Sequence, residues 1–242
     1  MNNGIRRYLF WIFICSFLLV TVFVGDYVFS IEKITILGNK EFMYNDLLKL
    51  SGVSSEQSIL MLDKELIQKR IESNPMIEVI SISRNFPDEV VITIRERKIV
   101  AYIEYLTLYV MLGTDGVAVE TREPQQTYEH IRVRGLDVKG FVLGDELLVE
   151  NVYSLDALKR VLSEINDQGL KDDISEISVG DINDIRIISD EGLNIRLGQA
   201  VEVGMKLRWM KTDQFNHMET GEVPGELDLS VPTQAVFIPR NN

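Results

Sequence analysis

Few side chains in this sequence could do chemistry. Histidine occurs only at positions 130 and 217, and two such distant residues do not make a His-rich metal site. Each alone reads as a surface or half-buried His. Cys15 is the single cysteine, so a disulfide, a zinc cluster of cysteines and a thiol nucleophile elsewhere in the chain are excluded. Adjacent carboxylates, the residue type for acid and base work, occur at pairs such as Asp88-Glu89 and Asp172-Asp173. Both pairs fall in turns, and 37 acidic residues produce such neighbours by chance, so solvated turns are the simpler reading. The nucleophile elbow, the phosphate-binding loop, the HExxH zinc motif and the dinucleotide fingerprint are missing. No catalytic, cofactor-binding or metal-binding residue is therefore assigned. The one dense cluster left is Arg95-Glu96-Arg97. On a strand, Arg95 and Arg97 face one way and Glu96 the other. Charge pairing at a domain junction is the reading, with a partner-docking surface as the alternative.

The cluster closes the stretch "SISRNFPDEVVITIRER". Ile80 and Ile82 before the turn, and Val90, Ile92 and Ile94 after it, recur at every second position, the pattern of a hairpin with one buried face. Pro87-Asp88 supplies the turn, since Pro fixes φ and Asp bonds its own backbone.

The chain has 242 residues, is 45% hydrophobic and carries a formal net charge of -12. That acidity argues against nucleic acid as a partner, because phosphate binding needs a basic surface. Near the N-terminus, Tyr8 to Val24 is a run of 17 residues without charge, the short end of a membrane span. Arg6 and Arg7 precede it, while Asp26 and Glu32 follow, which orients the N-terminus to the cytoplasm and the rest outside. The competing reading, a cleaved signal peptide, finds a poor cleavage site at Val28-Phe29-Ser30. Outside the anchor, 23 basic face 37 acidic residues, a net -14 that favours protein partners over anionic lipid head groups.

Behind the anchor the order is readable. "SIEKITIL" alternates as a strand and ends at Gly38-Asn39. Tyr44 to Gly52 predicts a short helix with Asn45 as cap and Gly52 as stop. "LDKELIQKRIESNP" predicts a second, capped by Asp63, with Leu66, Ile67, Arg70 and Ile71 on one face. With the hairpin this gives β-α-α-β-β, a three-stranded sheet carrying two helices on one face. That order resembles the FtsQ-type POTRA domain. The matching residues are Gly38-Asn39, Gly52, then Ser58, Ile59, Leu60, Leu62 and Asp63. Pro75, Ile77, Ile82, Arg84, Phe86 and Pro87 follow, and Glu96, Arg97, Val100 and Ala101 close the motif. Ile99 stands where the family usually has Pro.

The remainder reads as a mixed α/β domain. Strands are predicted at Val100 to Tyr105, Leu108 to Leu112, Val117 to Glu120, Ile174 to Val179, Ile185 to Ser189 and Leu193 to Leu197. One helix places Leu155, Leu158, Leu162 and Ile165 on a face and stops at Gly169. Another runs from Val203 to about Met218, with Val203, Leu207 and Met210 inward, and a last strand covers Gln234 to Ile238. This half is similar to the second domain of the FtsQ/DivIB cell-division family. The matches are "LGTDGVAV" (looser), "NIRLG", Lys206-Leu207, then Gly225, Leu227 to Leu229, Ala235 to Phe237 and Pro239.

The fold class is thus α+β: a transmembrane helix (residues 8–28, after a cytoplasmic tail 1–7), a POTRA domain (29–98), and a mixed domain (99–242) whose sheet is open at one edge. The resemblance implies a non-enzymatic membrane scaffold of the divisome at the septum. Its partners would be FtsL-like and DivIC/FtsB-like single-span proteins. They would dock on Gln234, Ala235, Val236, Phe237 and Ile238, with Leu207 and Met210 of the preceding helix. Other readings are an exported enzyme or regulator of cell-wall synthesis and a POTRA-type transport component. The latter predicts repeated POTRA units and a barrel, for which the chain has no room.

Overall fold

The computed structural model describes residues 10–16, 28–55, 57–124, 129–212, 215 and 225–239. Residues 10–16 are helical, and their side chains are largely exposed. Among the described residues no helix is long and apolar enough to cross a membrane, and most of the Tyr8–Val24 run lies outside them. The chain divides into two compact units, with the boundary between Glu96 and Arg97.

In the first unit, β1 (Lys33–Leu37), α1 (Tyr44–Ser51), α2 (Lys64–Ile71), β2 (Ile77–Asn85) and β3 (Glu89–Glu96) follow in order. The sheet order is β1-β3-β2, with β1 parallel and β2 antiparallel to β3. Central β3 buries Val90, Ile92 and Ile94 against Leu47 of α1 and Ile67 and Ile71 of α2. Gly52 ends α1 in the left-handed conformation, and Asp63 caps α2 by accepting the Leu66 N–H at 3.1 Å. Two details differ from expectation. Residue Met43, not Asn45, is the N-cap of α1, without a side-chain bond. Ile80 is exposed, because a β-bulge falls between Val79 and Ser81. The extra residue resets the alternation, so Val79 and Ile82 face the core and Ile80 points away. Leu66 is likewise exposed on α2.

The second unit contains β4 (Ala101–Tyr105), β5 (Leu108–Leu112), β6 (Ala118–Arg122), β7 (Ile131–Arg134), β8 (Val138–Gly140), β9 (Leu148–Val149), α3 (Val152–Gln168), β10 (Ile174–Ser178), β11 (Ile185–Ser189), β12 (Asn194–Gly198), α4 (Val203–Leu207), β13 (Gly225–Asp228) and β14 (Val236–Pro239). Among the described residues, nine strands form one mixed sheet, ordered β14-β13-β12-β11-β10-β7-β4-β5-β6. Its apolar face, including Ile177, Ile187, Ile195 and Leu227, packs on Leu158, Val161, Leu162 and Ile165 of α3 and Leu207 of α4. Burying each such side chain contributes about 1.5–3 kcal/mol. Strands β7, β8, β9 and β13 were not among those expected from the sequence. It also drew the second helix too long: α4 ends at Leu207, a 3-10 turn spans Arg208–Lys211, and most of the remaining predicted stretch lies outside the described residues. The last strand begins at Val236, so Gln234 and Ala235 precede it.

Candidate partner-docking edge

The POTRA motif residues are structural. Gly38 has φ +91°, and a Cβ there would collide with the Ile94 carbonyl oxygen, so the turn after β1 requires glycine. The Asn39 side chain donates to the Phe42 carbonyl at 3.2 Å, folding that turn. Into it reaches the Glu96 carboxylate, which accepts the backbone N–H groups of Lys40 (2.7 Å), Glu41 (2.9 Å) and Phe42 (3.0 Å). Desolvation pushes the Glu96 carboxyl up, but the three amides outweigh it and hold it below the ordinary glutamate value. Arg84 donates to the Leu62 carbonyl, tying β2 to the segment before α2. Pro87 occupies the β2–β3 turn.

The charged cluster at residues 95–97 resolves into three local contacts. Arg95 pairs with Glu78, its cross-strand neighbour. Glu96 holds the 40–42 turn, and Arg97 donates to Asp115 at 2.7 Å within the second unit. These contacts tie Arg95 and Glu96 to residues of the first unit and Arg97 to a residue of the second. Arg97 and Asp115 also join two of the family motifs.

A strand can be added to a sheet only where an edge is free. In the first unit, the chain ahead of β1 is already paired, with the Ile31 N–H bonded to Gln57 and the Ile59 N–H to Phe29. Further along β1, the Tyr44 hydroxyl donates to the Ile34 carbonyl at 2.7 Å. On the other edge, β2 is broken by its bulge, and the Val79 N–H donates to Glu72 at 3.0 Å. In the second unit, the start of β6 is covered because Ala118 exchanges backbone bonds with Gly144 and Asp145. The opposite edge is β14, which has a strand neighbour on one side only, β13, among the described residues.

The geometry of β14 follows from its residues. Its antiparallel register pairs Val236 with Asp228, Phe237 with Leu227, Ile238 with Glu226 and Pro239 with Gly225. Pro239 has no N–H, so it cannot be a donor of the ladder. Alternation then gives Val236 and Ile238 the paired positions and turns the N–H and C=O of Phe237 toward the open side. The Phe237 ring points the other way from the exposed Val236 and Ile238 and packs on the core, as Ala235 does. It passes over Gly225, where a Cβ would strike the ring and lie 2.8 Å from the Ile238 carbonyl oxygen.

Two features hold this edge in place. On the solvated face, Asp184 accepts Arg196 Nε at 2.6 Å and Arg186 Nε at 2.9 Å. Arg186 also reaches Glu226 (2.9 Å) and Arg196 reaches Asp228 (3.2 Å), so charge pairs cross β11, β12 and β13. The Arg196 hydrogen bond, against some desolvation and with help from Arg186, holds Asp184 below the usual aspartate range. On the apolar face, Lys206 is 2% exposed. Its ammonium donates to the carbonyls of Leu197 (2.9 Å) and Gln199 (2.8 Å), closing the end of β12. Burial pushes that ammonium down, partly offset by Glu202 and Asp228.

Leu207 and Met210, expected at the docking surface, are buried in the core at 0% and 4% exposure. Both are inward positions of the helical stretch, whose solvent side includes Met205, Arg208 and part of Trp209. Together with Thr212, Pro232 and Thr233 these line a groove of about 420 Å³ beside the turn that leads to β14. Trp209 Nε1 donates to the Pro232 carbonyl at 3.2 Å, joining helix and turn. Lys206 enters the sequence pattern only as a motif match, and neither its burial against two carbonyls nor this groove was expected. Among the described residues, no group of three or more His, Cys, Asp or Glu is arranged to hold a metal.

Residues 29–97 match the family model for the POTRA domain, FtsQ-type. The wider chain is similar to cell division protein DivIB of Clostridium tetani, 24% identical over 195 residues, which is 77% of this chain and 74% of that protein. DivIB of Clostridium botulinum strain Loch Maree is 24% identical over 238 residues, 94% of this chain and 88% of its own. Cell division protein FtsQ of Syntrophotalea carbinolica is 28% identical over 180 residues, 73% of this chain but 62% of its own length. The match to the family model falls on the β-α-α-β-β part of the first unit. Beyond residues 29–97 the chain is similar to FtsQ and DivIB cell division proteins at 24–28% identity.

Proposed function

We propose that this protein is a non-enzymatic, single-pass membrane scaffold of the bacterial division machinery. In this reading the N-terminus is cytoplasmic and both units lie outside, at the septum. The scaffold docks FtsL-like and DivIC/FtsB-like partners by adding one of their strands to β14. The observation that carries this reading is the contrast between edges: β14 leaves the Phe237 N–H and C=O open beside apolar Val236 and Ile238, while β1 and β2 are obstructed and β6 is covered at its start. The neighbouring groove at Met205, Arg208 and Trp209 suits a helix continuing from the added strand. Confinement of all partners to one membrane raises their effective concentration, so a modest interface is sufficient.

The test is co-purification of residues 26–242 with the FtsL-like and DivIC-like exported domains of the same organism. Val236→Asp and Ile238→Asp, which leave the Phe237 packing intact, should abolish capture while circular dichroism stays unchanged. Capture that survives both substitutions would exclude β14 as the site.

A further inference from the structure

We propose that the end of the POTRA domain where the chain enters it rests on the bilayer surface, with Leu60, Met61 and Phe86 in the interfacial layer. This rests on the reading of Tyr8–Val24 as a membrane anchor. Three segments converge at that end. The Ile59 N–H donates to the Phe29 carbonyl at 2.8 Å, which places the Ile59–Met61 turn beside the incoming chain. The Phe29 and Phe86 rings meet edge to face at 6.2 Å. Glu32 and Lys33 donate their N–H groups to the Asp88 carbonyl, fixing the β2–β3 turn there too. The surface they build is apolar and open: Met61 is 87% exposed, Phe86 59% and Leu60 52%.

Chain length supplies the occupant. Four residues separate Val24 from Phe29. The five steps from Val24 to Phe29, at about 3.5 Å each, reach roughly 18 Å at most. A domain of this size has a radius of gyration of about 11 Å and is therefore roughly 28 Å across. The tether is shorter than the domain, so the end bearing Phe29 must face the membrane. Glu32 is exposed there and Asp88 half-buried, so attachment comes from burying apolar side chains and not from attraction to anionic head groups.

The test uses the full chain in liposomes of phosphatidylcholine and phosphatidylglycerol, with spin labels on single cysteines. Native Cys15 reports the anchor. In a Cys15→Ser background, Met61→Cys and Phe86→Cys report the patch. Met43→Cys, past the far end of β1, reports the opposite end. We expect the ratio of oxygen to nickel-complex accessibility at 61 and 86 to exceed that at 43 by about threefold or more. Adding Met61→Asp should return the label at 86 toward the value at 43. A lipid-exposed label at 15 with water-exposed labels at 61 and 86 would overturn the proposal and leave the anchor standing. Labels at 61 and 86 shielded from both reagents would overturn it in favour of a protein covering the patch. A water-exposed label at 15 would remove the anchor reading and this proposal with it.

Discussion

Glu96 offers a quantitative test of how the POTRA unit is held together. Its carboxylate gathers three backbone amides that lie 54–56 residues away in sequence. A hydrogen bond to a charged group contributes about 1.5–3 kcal/mol, and the contacts to Lys40 and Glu41 are open to water, which replaces part of the loss. Glu96→Ala should therefore destabilise the unit by about 2–3 kcal/mol, and Glu96→Gln, which keeps one acceptor oxygen, by about 1–1.5 kcal/mol. For a domain of this size that is a fall in Tm of about 10–20 °C for the alanine variant. The pH dependence sharpens the test. Because the folded-state pKa is depressed, the Glu96 contribution is complete above the unfolded glutamate value of about 4.3 and fades as pH falls through the folded value. Urea unfolding of residues 26–242, followed at pH 7, 5, 4 and 3.5, should show the gap between wild type and Glu96→Gln closing below about pH 4.3. A gap that is constant across that range, or absent at pH 7, would refute the assignment of this carboxylate as the ionised clamp of the 40–42 turn.

Two further predictions concern the docking edge. Lys206→Met should destabilise the second unit by about 2–4 kcal/mol, because the Leu197 and Gln199 carbonyls lose their donor. Burial depresses the lysine pKa, so wild-type stability from this group grows as pH rises toward about 10.4 and the deficit of the variant widens, which chemical denaturation at pH 7 and 9.5 would read. Gly225→Ala should cost about 1–3 kcal/mol by displacing the Phe237 ring and pressing on Ile238, and should weaken partner capture more than an equally destabilising change in α3. Thermal melts with titration of the partner domains would check both parts.

Elements whose pattern is local were legible in the sequence. Val90, Ile92 and Ile94 lie on the buried face of β3, and Leu155, Leu158, Leu162 and Ile165 on that of α3, because period and partner face agree over several turns. Gly52, Gly169 and Asp63 end or begin their helices as expected, since caps depend on the backbone next to them. Apart from the N-cap of α1, which is Met43 and not Asn45, what failed depends on distant partners. The bulge at Ile80 arises from the register with β3, which no pattern within β2 reveals. Strand β7 is only four residues, flanked by turns and interleaved with Arg132 and Arg134, and its identity comes from lying between β4 and β10. Lys206 carries no sequence sign of burial, because its partners are carbonyls exposed only once β12 has ended. Leu207 and Met210 were read correctly as inward but were also assigned to the docking surface. An apolar residue serves one face, and the core takes these two.

Strand addition to β14 makes one residue decisive. Val236 and Ile238 already bond β13, whereas the Phe237 N–H faces outward. Amide hydrogen exchange of residues 26–242, with and without the FtsL-like and DivIC-like domains, should show the Phe237 amide becoming strongly protected on complex formation. The amides of β1 and β2 should be unchanged. A complex that forms while Phe237 exchanges as fast as in the free protein would contradict docking by strand addition at this edge.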